Sequence, residues 1–260
     1  MKPFRVILPI TLVIALFGAS CSKPKDQNKS EITVAAAADL ESVFAEIARD
    51  FESATGVHIT FSFGSSGNLK QQIENGAPFD AFASANVAYV DALAKEGLTM
   101  PDRRRVYAEG QITLWQRKDT KVQVNSLQDL TKPEVKHIAI ANPGHAPYGA
   151  AAVESLQSAG IYDQVQSKLV FGENVLETRQ FVQSGNAEVG IVARALSDVP
   201  DCRWVPIDPA SHKPIDQAVC VIKASRNGEL AGQFVEFLGQ PQAAAALRRY
   251  GFTVPENGDN

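Results

Sequence analysis

Clustered positive charge is scarce in this chain of 260 residues: 25 Lys and Arg stand against 29 Asp and Glu, and the formal net charge is −4. Binding a nucleic-acid backbone demands a concentrated basic face. The only cationic run, Arg103-Arg104-Arg105 beside Pro101 and Asp102, reads instead as a solvated loop, so no nucleic-acid partner is expected. Cysteine is equally sparse, with three in the chain, and the histidines His58, His137, His145 and His212 are scattered without ligand-type spacing, which argues against a zinc site. Neither a G-x-x-x-x-G-K-[ST] phosphate loop nor a G-x-S-x-G nucleophile turn occurs, which leaves a nucleotide-driven motor or a hydrolase of that type without its motif. Long apolar runs are missing too. The longest, Val6 to Phe17, falls short of the about 20 residues that a membrane-spanning helix needs.

That segment follows Lys2 and Arg5 and leads into Gly18-Ala19-Ser20-Cys21, which is the plan of an export signal. Cys21 behind small residues resembles the lipobox of bacterial lipoproteins, and the resemblance implies acylation of Cys21 and membrane contact through that lipid. Gly18 stands where the pattern usually carries Leu, so cleavage with free secretion is the alternative. Residues 1–20 are therefore expected to be a signal peptide, and residues 21–30, polar after Cys21, a tether. Export places Cys202 and Cys220 where a disulfide persists. The strand-like runs beside them, Arg203 to Val205 and Gln217 to Ile222, could pair antiparallel across a loop holding Pro206, Pro209 and Pro214. Two buried free thiols are the other reading.

From Ile32 onward, short apolar strands alternate with amphipathic helices, which predicts an α/β fold with mainly parallel sheet. Ile32 to Ala36 reads as a strand; Leu40, Val43, Phe44, Ile47, Ala48 and Phe51 then recur at helical spacing until Gly56. Strands over 57–62 and 79–82 and helices over 69–74 and 87–96 complete a first series. An extended stretch from Tyr107 to Gln116 precedes a second series, with strands over 137–141, 168–171 and 189–192 and helices over 149–158 and 176–183. Two such series fit two lobes: residues 31–108 with about 216–260 as the first, joined by helices near 229–238 and 243–250, and about 109–215 as the second. Hinges are expected near 107–111 and 208–216.

In open α/β sheets, ligands bind beyond the carboxyl ends of strands, where helices begin with unpaired N–H groups. Four junctions qualify: Ala37 to Leu40, Phe63 to Asn68, Asn142 to Gly149, and Gly172 to Val175. Ser65 and Ser66, flanked by Gly64 and Gly67, suit an oxyanion because hydroxyls and amides donate without adding charge; an ordinary Ser helix cap is the competing account.

The stretches Ile32-Thr33-Val34-Ala35-Ala36-Ala37-Ala38-Asp39-Leu40, Phe63-Gly64-Ser65-Ser66-Gly67-Asn68-Leu69, Gly76-Ala77-Pro78-Phe79-Asp80-Ala81-Phe82-Ala83-Ser84-Ala85, Gly190-Ile191-Val192, and Gln240 to Phe252 together resemble the periplasmic molybdate-binding proteins of ABC importers. The resemblance implies a two-lobed periplasmic-binding-protein-like fold (type II) with the ligand cleft between the lobes. It further implies no catalysis, no cofactor, a monomer, and delivery of molybdate or tungstate to a permease with a separate ATPase. Carried over residue by residue, it points to Ala38, Asp39 and Ser66, with Ser65 beside it, from the first lobe, and to Tyr148 and Val175 from the second. Two positions depart from the pattern. Asp39 stands where some members have Ser, and Ala193 where some have Tyr, a donor that Tyr148 can replace. An ionised carboxylate would repel a dianion, so Asp39 is expected to cap its own helix and offer only its backbone N–H. A carboxylate facing the cleft would instead have to be protonated, pair with a cation or bind the metal centre of the oxyanion. His145 reads as a loop histidine. Sulfate, phosphate, chromate or an organic anion is the alternative ligand, and a secreted α/β enzyme the alternative class.

Overall fold

The computed structural model describes residues 30–255. The expected signal peptide, Cys21 and nearly all of the tether lie outside the described residues.

Strand β1 (Glu31–Ala37) is buried almost throughout, as a central parallel strand covered on both faces must be. A 3-10 turn, Ala38–Leu40, leads into helix α1 (Glu41–Thr55), whose Val43, Phe44, Ile47 and Phe51 face the core. Gly56 ends it in the left-handed conformation at φ 73°, which a residue with a Cβ adopts only at a cost. There follow β2 (His58–Gly64), α2 (Ser66–Glu74), β3 (Ala81–Ser84) and α3 (Val87–Lys95). The stretch read as one extended run is two strands, β4 (Thr99–Gly110) and β5 (Ile112–Arg117), broken at Gln111.

The second series holds β6 (Ile138–Ala141), α4 (Pro147–Ser158), the short α5 (Tyr162–Val165), β7 (Leu169–Gly172), α6 (Val175–Gln183), β8 (Val189–Ala193) and β9 (Cys202–Pro206). The chain ends with β10 (Ile215–Ile222), α7 (Gly228–Phe237) and α8 (Pro241–Arg249). Two five-stranded sheets result, ordered β2-β1-β3-β10-β4 and β7-β6-β8-β5-β9. In each, three strands run parallel and the fourth and fifth add antiparallel neighbours. The chain passes between the sheets at Gln111 and again between Pro206 and Ile215. Helix α7 packs on β10 and β4, and α8 on α1. Phe234 of α7 meets Phe44 and Phe51 edge-on at 5.7 and 5.5 Å; each such buried ring contributes about 1.5–3 kcal/mol.

Two expectations are corrected. The strands bearing Cys202 and Cys220 do not pair: β9 sits on β5 in one sheet, whereas β10 lies between β3 and β4 in the other. Both thiols are free and buried, because the proline-bearing loop carries the chain across to the other sheet and closes no hairpin. The Arg103-Arg104-Arg105 run is not a loop. It belongs to β4, paired with β10, with Arg103 ion-paired to Glu229 and Glu236 of α7 and Arg104 to Asp91 of α3.

Candidate functional site

The carboxyl ends of β1, β2 and β3 in one sheet face those of β6 and β7 in the other. Between them lies a cavity lined by Ala37, Ala38, Asp39, Gly64, Ser65, Ser66, Ala85, Ala146, Pro147, Tyr148, Asn174 and Val175. All six residues singled out in the sequence are in that lining. It is small, with about 10 Å³ in which a water centre could sit, room for roughly one water.

Four helical starts converge there: the turn at Ala38, α2 at Ser66, α4 at Pro147 and α6 at Val175. First-turn N–H groups have no intrahelical acceptor, and the aligned peptide dipoles add partial positive charge. Side chains leave most of these groups free. Ser65, the N-cap of α2, makes no side-chain cap, contrary to the simple capping account, and its Oγ instead shares a hydrogen bond with His145 Nδ1 at 2.8 Å. Ser66 Oγ accepts from the Ala85 N–H at 3.0 Å, which leaves its own O–H to donate. At α6, Asn174 caps the N–H groups of Leu176 and Glu177 but not that of Val175. Among the described residues no Lys or Arg lines the cavity.

Asp39 departs from expectation. It makes no side-chain cap in its turn; the carboxylate points away from that duty, and its Oδ2 accepts from the Tyr148 hydroxyl at 2.9 Å and from Gln217 Nε2 at 3.0 Å. Its Oδ1 is buried without a partner. Burial pushes the Asp39 carboxyl up to about 7, against smaller downward pulls from Tyr148, its own backbone N–H and Gln217. Burial, with Asp39 nearby, likewise holds the Tyr148 and Tyr107 phenols well above their ordinary range. Tyr107 of β4 and Gln217 of β10 lie on neighbouring strands. There the register shifts, so that Gln217 pairs with Ala108 and Ala218 with Val106, and Tyr107 becomes the extra residue of a bulge, a device that re-aims side chains. The Tyr107 hydroxyl and Gln217 Oε1 also lack partners.

The two sides meet through direct contacts. Gly67 N–H donates to the His145 carbonyl at 2.9 Å, and Asn68 Nδ2 donates to Glu173 at 3.3 Å. His145 is a loop residue, as read, and its role is to bridge Ser65 and, at 3.6 Å, Glu173. Ala193 ends β8, fully buried, and is not in the lining, whereas Tyr148 is. Sequence reasoning singled out Gly67 as a point of close backbone approach but missed Gln217, Tyr107 and Gly110. Gly110 must lack a side chain because a Cβ there would overlap the Tyr148 hydroxyl. Nothing local marks these last three, since their partners lie far along the chain; Gln217 is 178 residues from Asp39.

Residues 32–253 match the family model described as bacterial extracellular solute-binding protein. The molybdate-binding protein ModA of Azotobacter vinelandii is 38% identical, over 86% of this chain and 90% of that protein. The protein of the same name from Rhodobacter capsulatus is 35% identical, over 86% and 88%. The solved periplasmic molybdate-binding protein of Azotobacter vinelandii superimposes with a TM-score of 0.81 at 30% identity, covering 86% of this chain and all of that one.

Proposed function

The chain belongs to the bacterial extracellular solute-binding proteins, and on that premise we propose that it captures molybdate or tungstate outside the cytoplasm for uptake through an ABC importer. The observation that carries the ligand class is the convergence of four helical starts, two from each side, on one cavity without a cationic side chain. Oriented N–H and O–H dipoles can share the charge of a small dianion, and a cavity of set size then sorts anions by radius. The proposed binding set is Ala38, Asp39, Ser65 and Ser66 from one side and Tyr148 and Val175 from the other. The relatives named molybdate-binding protein supply the specific ion.

Capture requires no chemistry. Residues 31–108 with about 216–260 form one proposed lobe and about 109–215 the other, turning about Gln111 and the segment between Pro206 and Ile215. The anion binds the open cleft, closure brings the second set of donors onto it, and a permease with its separate ATPase recognises the closed shape. Acylation of Cys21 would keep the monomer at the membrane surface; the mass of the mature amino terminus tests it.

Thermal unfolding in molybdate, tungstate, sulfate, phosphate and no added anion, all at one ionic strength, tests the function. A ligand at about 100 times its Kd adds about 2.7 kcal/mol. A shift with molybdate and tungstate is the expected result. A shift with sulfate or phosphate alone reassigns the ligand, and no shift with any anion removes the reading.

A further inference from the structure

The carboxyl group of Asp39 is out of keeping with a cavity that otherwise presents neutral donors. Its Oδ2 is committed to Tyr148 and Gln217, while its Oδ1, in a side chain only 1% exposed, has no partner. A buried acceptor with nothing to accept from is costly, and beside a dianion it is costlier still, because both charges sit in the same dry space. One proton on Oδ1 removes both costs. The oxygen then becomes a donor and the carboxyl group neutral.

We propose that Asp39 binds the anion as the neutral acid, so that each fully deprotonated oxyanion is captured together with one proton held between Asp39 Oδ1 and a ligand oxygen. This rests on the oxyanion reading above and adds its protonation chemistry. The proton comes from solvent and returns to it when the cleft opens; no other bond is made or broken.

The surroundings support a neutral acid. From β4, α4 and β10 the groups that face Asp39 are Tyr107, Tyr148 and Gln217, and burial keeps both phenols protonated. None of the charged side chains on the other described elements packed against its turn bonds to it, although Arg179 Nε is buried without a partner. Arg194 pairs with Asp198 and lies over Trp204, Glu177 accepts from the Glu173 N–H, Arg179 lines a separate surface hollow with Glu46 and Arg249, and Glu41 of α1 makes no bond to it. Among the described residues no cation pairs with the carboxylate, whose hydrogen-bond partners are Tyr148 and Gln217. Burial brings the carboxyl group up to about 7, and a neighbouring dianion raises it further.

Isothermal titration calorimetry with molybdate, in two buffers of different ionisation enthalpy between pH 7 and 9, provides the test. With the free group at about 7, the wild-type protein should take up about half a proton per anion at pH 7, rising toward one by pH 9, and the rise in Kd should steepen toward about tenfold per pH unit over the same range. Asp39→Asn keeps the shape and supplies an amide donor without a proton. It should bind with no proton uptake, nearly independently of pH, and more tightly than wild type at pH 9. The ring of His145 is present in both proteins, so its contribution cancels in the comparison. Wild-type binding without proton uptake and with a flat pH profile would overturn the proposal while leaving the molybdate reading intact. Preference for hydrogen phosphate over molybdate would place the proton on the ligand and overturn both, as would absence of molybdate binding at every pH.

Discussion

Replacing Gly67 by alanine perturbs closure and little else. Gly67 lies in the first turn of α2, and its backbone requires no glycine, so alanine there is neutral or favourable for the helix itself, by up to about 1 kcal/mol. In the closed form, however, the added Cβ would stand 2.7 Å from the His145 carbonyl oxygen, 2.9 Å from its Cβ and 3.0 Å from its Cα. Two of these atoms are backbone and cannot rotate away. The loop bearing His145 must retreat, and the 2.9 Å hydrogen bond from Gly67 N–H to that carbonyl weakens with it. Overpacking of this kind costs about 1–3 kcal/mol. Because the cost falls only on the closed form, it translates into an about 5- to 150-fold loss of anion affinity. Calorimetric titration with molybdate reads the affinity, and small-angle scattering with saturating ligand reads the compaction. Wild-type affinity with wild-type compaction would refute the reasoning, because the loop would then not be where closure needs it.

Tyr148→Phe removes the hydroxyl that donates to Asp39 across the cleft and leaves that buried oxygen with Gln217 alone; a loss of about 1–3 kcal/mol in anion binding is expected, and unchanged binding would exclude Tyr148 from the site. The stability of the unliganded protein should carry a component from Asp39 whose pH dependence can be stated. The folded carboxyl sits at about 7, above the about 3.9 of an unfolded chain, so the folded state holds the extra proton between those values. Its stability is therefore greatest below the unfolded value and declines as pH rises through about 7, by on the order of 4 kcal/mol as an upper bound. Thermal unfolding at pH 5 and pH 8 should show this decline in wild type and a smaller one in Asp39→Asn; equal declines would contradict it. Cys202 and Cys220 are free, and burial pushes the Cys220 thiol up to about 12. Both should resist alkylation in the native protein and react fully in denaturant without reductant, whereas protection that persists in denaturant would reveal a bridge.

What was legible at the level of sequence was whatever is set by neighbours along the chain. The helix after Ala38 is announced by Val43, Phe44, Ile47 and Phe51 at helical spacing and stopped by Gly56, and both signals act within a few residues. The apolar strands and the small-residue turns after them are equally local, so the α/β class and the junctions where N–H groups gather could be named, whereas Ser66, Tyr148 and Val175 were singled out only through the family resemblance. Stretches that depend on which strand becomes whose neighbour were misread. The Arg103-Arg104-Arg105 run looks like loop because the charges of Arg103 and Arg104 are neutralised by Asp91, Glu229 and Glu236 from distant helices. The cysteine-bearing strands look like a hairpin because they are close in sequence, although the chain changes sheets between them.

Asp39 marks the boundary most sharply. Its own segment favours a helix cap, the cheapest satisfaction a carboxylate can find locally. Tertiary structure supplies competitors that no local rule contains: a phenol 109 residues away and an amide 178 residues away. Burial between the two sheets then decides the charge of the group, because the free energy of a proton depends on the solvent and dipoles around it in space. The sequence by itself determined that a carboxyl group stands at the head of that turn; only the packing of two sheets decided that it lines the cavity and how readily it takes a proton.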